Sequence, residues 1–100
     1  MNIVPRRRGP GNGAHVDLFQ GEHVVGTVYH DGGVNLYHPA GGISLTLYAQ
    51  KSTPLLLAMA LDVTENPEHW PALLDALQDD PTHGERVRTI LAAWEGVPCN

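Results

Sequence analysis

Cysteine, lysine and phenylalanine each occur once in this chain of 100 residues, as Cys99, Lys51 and Phe19. A lone cysteine excludes an intramolecular disulfide and any cysteine-based zinc cluster. Long apolar runs are also missing. The longest, Leu55 to Leu61, falls well short of the roughly 18 residues of a membrane-spanning helix. Three arginines near the N-terminus are followed by no apolar stretch, so no secretory signal is expected and the cytoplasm is the expected compartment. No GxSxG, HExxH, P-loop or CxxC pattern is present. No catalytic activity, cofactor or metal is therefore expected. Arginine outnumbers lysine five to one among the six cations. With many Gly, Ala, Pro and Val, that bias suits a high-GC bacterial genome or one of its phages.

One hundred residues make one domain with a single core. Residues 1–13 combine three glycines, two prolines and no periodicity, which predicts a flexible basic tail carrying Arg6, Arg7 and Arg8. A single α+β domain is expected over 14–96, with a β-meander over 14–49 and a helical half over 54–95, then a C-terminal tail over 97–100. The net charge is −5 with histidines neutral, and removing the three tail arginines leaves a body at −8. An acidic body argues against a general nucleic-acid binder.

Residues 14–49 read as four short strands with two different faces. One face collects Val16, Leu18, Val24, Val28, Val34, Leu36, Ile43, Leu45 and Leu47. The other collects Phe19, Tyr29, Tyr37 and Tyr48 among His15, Asp17, His23, Thr27, Asn35, Ser44 and Thr46. Opposed residues share a face, so each loop must keep aliphatic opposite aliphatic. Asp31-Gly32-Gly33 would set Val28 opposite Leu36 and Thr27 opposite Tyr37. The loop 39–42 would set Tyr37 opposite Ser44, and Gln20-Gly21-Glu22 would set Leu18 opposite Val24. All three agree with an antiparallel meander.

The helical half starts at Thr53-Pro54, a cap followed by proline at the first helical position. Leu55, Leu56, Leu57, Met59 and Leu61 make that helix apolar nearly all round, so it must be covered on more than one side. Trp70, Leu73, Leu74 and Leu77 share one face of a second helix, expected to be regular from Pro71. Thr82 and Glu85 read as a capping box for a third. Its face carries Val87, Ile90, Leu91 and Trp94, and Gly96 and Pro98 end it. Both tryptophans are expected in the core. The fold class is thus α+β: a four-stranded antiparallel meander, then three helices on one face of the sheet.

A sheet buried on one side leaves its second face to solvent, where Lys, Glu and Ser would serve. Finding the only Phe and all three Tyr there marks Phe19, Thr27, Tyr29, Tyr37, Thr46 and Tyr48 as candidate partner-binding residues. Strand propensity alone is the simpler explanation of those aromatics. The histidines suggest no metal site, because this register puts His15 and His23 roughly 13 Å apart. The functional expectation is a non-enzymatic protein-binding module, an accessory or regulatory factor of phage or mobile-element type, whose partner is another protein or a second copy of itself. No membrane contact is expected. The alternative is a nucleic-acid-binding regulator that uses the Arg6–Arg8 tail and the last helix, although Asp79, Asp80 and Glu85 surround that helix's start.

Overall fold

The computed structural model describes residues 3–9, 15–48 and 53–97. Five strands, β1 (Ile3–Arg8), β2 (His15–Gln20), β3 (His23–Tyr29), β4 (Val34–Tyr37) and β5 (Ile43–Leu47), form one antiparallel sheet in sequence order. Three helices follow: α1 (Pro54–Glu65), α2 (Trp70–Gln78) and α3 (Gly84–Glu95), with a short 3-10 turn over Pro67–His69. The α+β class and the meander stand. The sheet has one more strand than expected, because Ile3–Arg8 pairs along β2 from Ile3↔Gln20 to Arg8↔His15. Within the segment 1–13 read as a flexible basic tail, Ile3–Arg8 is an edge strand. Ile3 is buried in the core and anchors it, while Pro5 and three arginines keep its outer edge from pairing further.

Two β-bulges shift the expected register. Between β2 and β3 the pairing runs Asp17↔Thr27 and Leu18↔Gly26, then Phe19↔Val24, leaving Val25 as the extra residue. Val25 therefore turns inward and is 2% exposed, in the place expected for Val24. Gly21, with φ +61°, closes this hairpin in a two-residue turn. Between β4 and β5, Leu36↔Leu45 is followed by Tyr37↔Ile43, so Ser44 bulges and Ile43 is 59% exposed on the outer face. The β3–β4 loop has the expected three-residue form, one position earlier than expected. Its left-handed glycine is Gly32 at φ +88°, and Tyr29 N donates to Gly33 O at 2.8 Å. Thr27 consequently faces Asn35 rather than Tyr37. The slip is two residues, so every side chain keeps its face.

Aliphatic side chains of β2 to β5 (Val16, Leu18, Val28, Val34, Leu36, Leu45 and Leu47) meet Leu56, Ala60, Val63, Leu73, Leu77, Val87 and Trp94 from the helices in one core. Thr53 caps α1 as expected, its hydroxyl accepting from Leu56 N at 3.3 Å. The start of α3 differs from the expected capping box. Asp80 Oδ2 accepts from the backbone N–H groups of Thr82 (3.1 Å) and His83 (2.9 Å) and touches His83 Nδ1 at 2.9 Å. Burial alone would raise the Asp80 carboxyl, but these bonds outweigh it and hold the group below its ordinary value. Gly84 opens α3 so close to the end of α2 that a Cβ would collide with the Gln78 carbonyl.

His69 bridges the 3-10 turn back to α1, with its Nδ1 2.7 Å from Asp62 Oδ2. That bond raises the imidazole above its ordinary 6.5 and lowers the carboxyl below 3.8. The histidine's contribution to stability is complete below its unfolded value and fades as pH rises through the raised folded value. The carboxylate's is complete above its unfolded value and fades as pH falls through the lowered folded value. The pair therefore supports the α1–α2 junction most between about pH 4 and pH 6.5. Titration followed by NMR should find His69 above 6.5, and Asp62→Asn should return it there. An unchanged His69 in that variant would show that the bond does not form in solution.

Candidate protein-contact face

The helices cover one side of the sheet. The other side carries, across neighbouring strands, the row Arg6, Asp17, Thr27, Asn35 and Thr46, flanked by Arg8, His15 and Tyr29. Two members are deeply set for a face without a helical cover: Asp17 is 8% exposed and Thr27 4%. Tyr29, Tyr37 and Asn35 pack around them, half-buried.

Two sets of hydrogen bonds lace this face. Thr27 Oγ1 donates its only proton to Asp17 Oδ1 at 2.9 Å. Its 3.1 Å contact with the Tyr37 hydroxyl must then be donated by Tyr37. Protons therefore point from Tyr37 through Thr27 to the Asp17 carboxylate. Tyr29 separately accepts from Asn35 Nδ2 at 3.1 Å. Burial first, and then the nearby Tyr37 hydroxyl, raises the Tyr29 phenol above 10.0, whereas the bond from Asn35 pulls the other way. The acidic end of the chain is flanked by Arg8 Nη1 at 3.7 Å and His15 Nε2 at 3.6 Å.

Of the residues expected to bind a partner, Thr27, Tyr29 and Tyr37 come together in this network. Thr46 sits beside Asn35. Phe19 lies under Arg6, whose guanidinium carbon is 4.8 Å from the ring centroid. Tyr48 stands exposed at the far rim, beside a shallow groove of about 380 Å³ that Tyr29, Asn35 and Thr46 also line. The basic arm splits. Arg6 and Arg8 lie on the aromatic face, and Arg7, opposite Val16, lies on the other. Arginine is therefore adjacent to the aromatics. The alternation Val4, Arg6, Arg8 is the signal that carries this, hidden by Pro5 and Arg7 between them.

His23 leaves the expected outer face. It pairs with Gln20, and its ring lies 5.7 Å from that of Trp94. Past Gly26↔Leu36 no β3 residue pairs with β4, and Trp94 closes the fork from below by donating Nε1–H to Tyr37 O at 2.7 Å. Gln20 fastens the same corner, its Nε2 donating to Trp94 O and Val97 O, each at 3.0 Å. Above the fork lies a groove of about 560 Å³ with Asp17, Thr27, Tyr37 and His23 in its walls. Among the described residues no three His, Cys, Asp or Glu side chains gather as a metal site would require. No helix among them is long and apolar enough to cross a membrane. Cys99 lies outside the described residues.

Comparison of the chain with protein-family models, with curated proteins and with solved structures found no match in any of the three.

Proposed function

We propose that this protein is a small non-enzymatic binding module, an accessory or regulatory factor that contacts a partner protein through the open face of its sheet. The observation that carries this reading is the polar–aromatic network on a face no helix covers. Tyr37 is held by Thr27 and Tyr29 by Asn35, so little side-chain entropy remains to be lost when a partner docks. Ile43, opposite Tyr37, and Val4, opposite Phe19, stand exposed on the same face, which supplies apolar area around a polar, ordered centre.

The sheet edges suit contact less well. Pro5 and the arginines guard β1. The Ser44 bulge guards β5, and Arg86 occupies the Ser44 carbonyl. The nucleic-acid alternative loses its geometry, because Arg6 and Arg8 face away from α3, whose Arg86 and Arg88 are bonded to backbone carbonyls of Ser44 and Gln78.

A photo-cross-linking side chain placed at Asn35 or Thr46 should give adducts of defined mass in the native host. The same group at Ala72 or Ala93, exposed on the helical side, should give none. Adducts from the helical positions alone would refute the reading. Sedimentation then separates the two kinds of partner. A monomer leaves the face for another protein, and a dimer that dissociates on Ile43→Glu makes it a self-contact.

A further inference from the structure

We infer that the occupant of the open face is an acidic, extended segment of the partner, laid along β1 with carboxylates against Arg6 and Arg8. This rests on the protein-contact reading above and names the chemistry of the partner. Charge is divided unevenly between the two layers. The helical half, 53–97, holds eight carboxylates against Arg86 and Arg88, a net −6. The sheet half, 3–48, is balanced: Arg6, Arg7 and Arg8 are all on β1, against Asp17, Glu22 and Asp31. Asp17 is buried and already answered by Thr27, Arg8 and His15. Asp31 is turned to its own loop, accepting from Gly33 N at 2.9 Å. Glu22 lies in the turn beyond Gln20, past Arg6 at the Ile3–Val4 end of β1, where the segment presents its apolar residue. Positive charge therefore prevails along the β1–β2 side of the face.

Both arginines are placed to receive a carboxylate. Arg6 rests on the Phe19 ring, which restrains the exposed guanidinium and reduces the entropy lost on pairing. Arg8 is 61% exposed, and its 3.7 Å approach to Asp17 is a loose surface pair that leaves most of its donors unused. The two side chains are two residues apart on one strand face, or about 7 Å. An extended segment with acidic residues at i and i+2 matches that spacing. A further step of two reaches Val4, exposed at the end of the same row. The motif is two acidic residues separated by one position, with an apolar residue two positions beyond.

A nucleic acid would also bring negative charge, but it brings a continuous line of it. Among the described residues only Arg6, Arg8 and the half-exposed His15 bring basic groups to this side of the face, and the −6 of the helical half lies within reach of a long polyanion. A short acidic segment needs only the local pairs. A second copy could present its own acidic helical layer, and the experiment separates that case.

The probe is a peptide of about ten residues carrying Glu-x-Glu-x-Phe, titrated at about 50 and 300 mM salt with amide shifts followed by NMR. Binding should perturb Val4, Arg6, Arg8 and Phe19. It should weaken at the higher salt and fall at least tenfold in Arg6→Gln/Arg8→Gln, whose melting temperature stays within a few degrees of wild type. A lysine-for-glutamate version of the peptide should not bind. Equal binding of that version, shifts confined to the helical layer, or no binding at millimolar peptide would each overturn the inference. So would tighter binding of oligo-dT, which would make the face a nucleic-acid surface. Self-association abolished by Arg6→Gln/Arg8→Gln would overturn it in favour of a second copy. The cross-linking experiment does not depend on the partner's charge, so it can succeed where this one fails.

Discussion

Trp94→Ala should destabilise the protein by about 3–5 kcal/mol, the range for removing a large buried aromatic. Trp94 is 3% exposed, packs beside the His23 ring and donates to the Tyr37 carbonyl at the point where β3 and β4 part. Its removal opens a cavity under the fork and strands a carbonyl at once. For a domain of this size such a loss lowers the melting temperature by more than about 10 °C. Trp94→Phe keeps most of the packing and loses the N–H, so it should cost only about 1–2 kcal/mol beyond any repacking. Urea unfolding monitored by circular dichroism measures both. A cost below about 1 kcal/mol for the alanine variant would mean that the fork holds without the indole.

Asp17→Ala should cost about 2–3 kcal/mol, because it removes the charged acceptor at which the Tyr37–Thr27 bonds end. Thr27, 4% exposed, would keep its hydroxyl but lose the partner that orders it. Asp17→Asn retains an oxygen at the position that accepts from Thr27, so its loss should be less than half as large. Both variants also remove the Asp17 charge, which a titration reads separately from stability. The Asp17 charge contributes to the raised Tyr29 phenol, behind burial and the nearby Tyr37 hydroxyl. Either variant should bring Tyr29 down toward 10.0 in an absorbance titration, while only the alanine variant should loosen the network enough to weaken protection of the Thr27 amide. Equal losses for alanine and asparagine would show that Asp17 acts through its charge rather than as the oxygen that accepts from Thr27.

The class, the meander and the helical half were legible because burial imposes period two on the strands and period 3.6 on the helices. Leu18, Leu36 and Leu47 face the core where alternation puts them. Val24 and Ile43 do not, since a bulge changes parity without leaving a mark on alternation. Strand β1 was illegible for another reason. IVPRRR has one buried residue, Ile3, and its pairing comes from β2 rather than from any pattern of its own. The candidate site shared that fate. Thr27, Tyr29 and Tyr37 could be read from their common face. The parts contributed by β1, Arg6 over Phe19 and Arg8 by Asp17, needed a strand that local propensity disfavours. The start of α3 shows a third limit. Thr82 and Glu85 have capping-box spacing, yet the Asp80 carboxylate reaches the free N–H groups first.

The parting of β3 from β4 has a mechanical consequence. The sheet is two plates, β1–β3 and β4–β5, joined along a short hinge from Gly26↔Leu36 to Val28↔Val34. Side-chain bonds stitch that hinge like a lace. Asn35 and Tyr37 belong to one plate, Tyr29 and Thr27 to the other, and two bonds cross the line between them. A partner that flattens or bends the sheet must loosen the lace, and one that fits the present curvature finds it already tied.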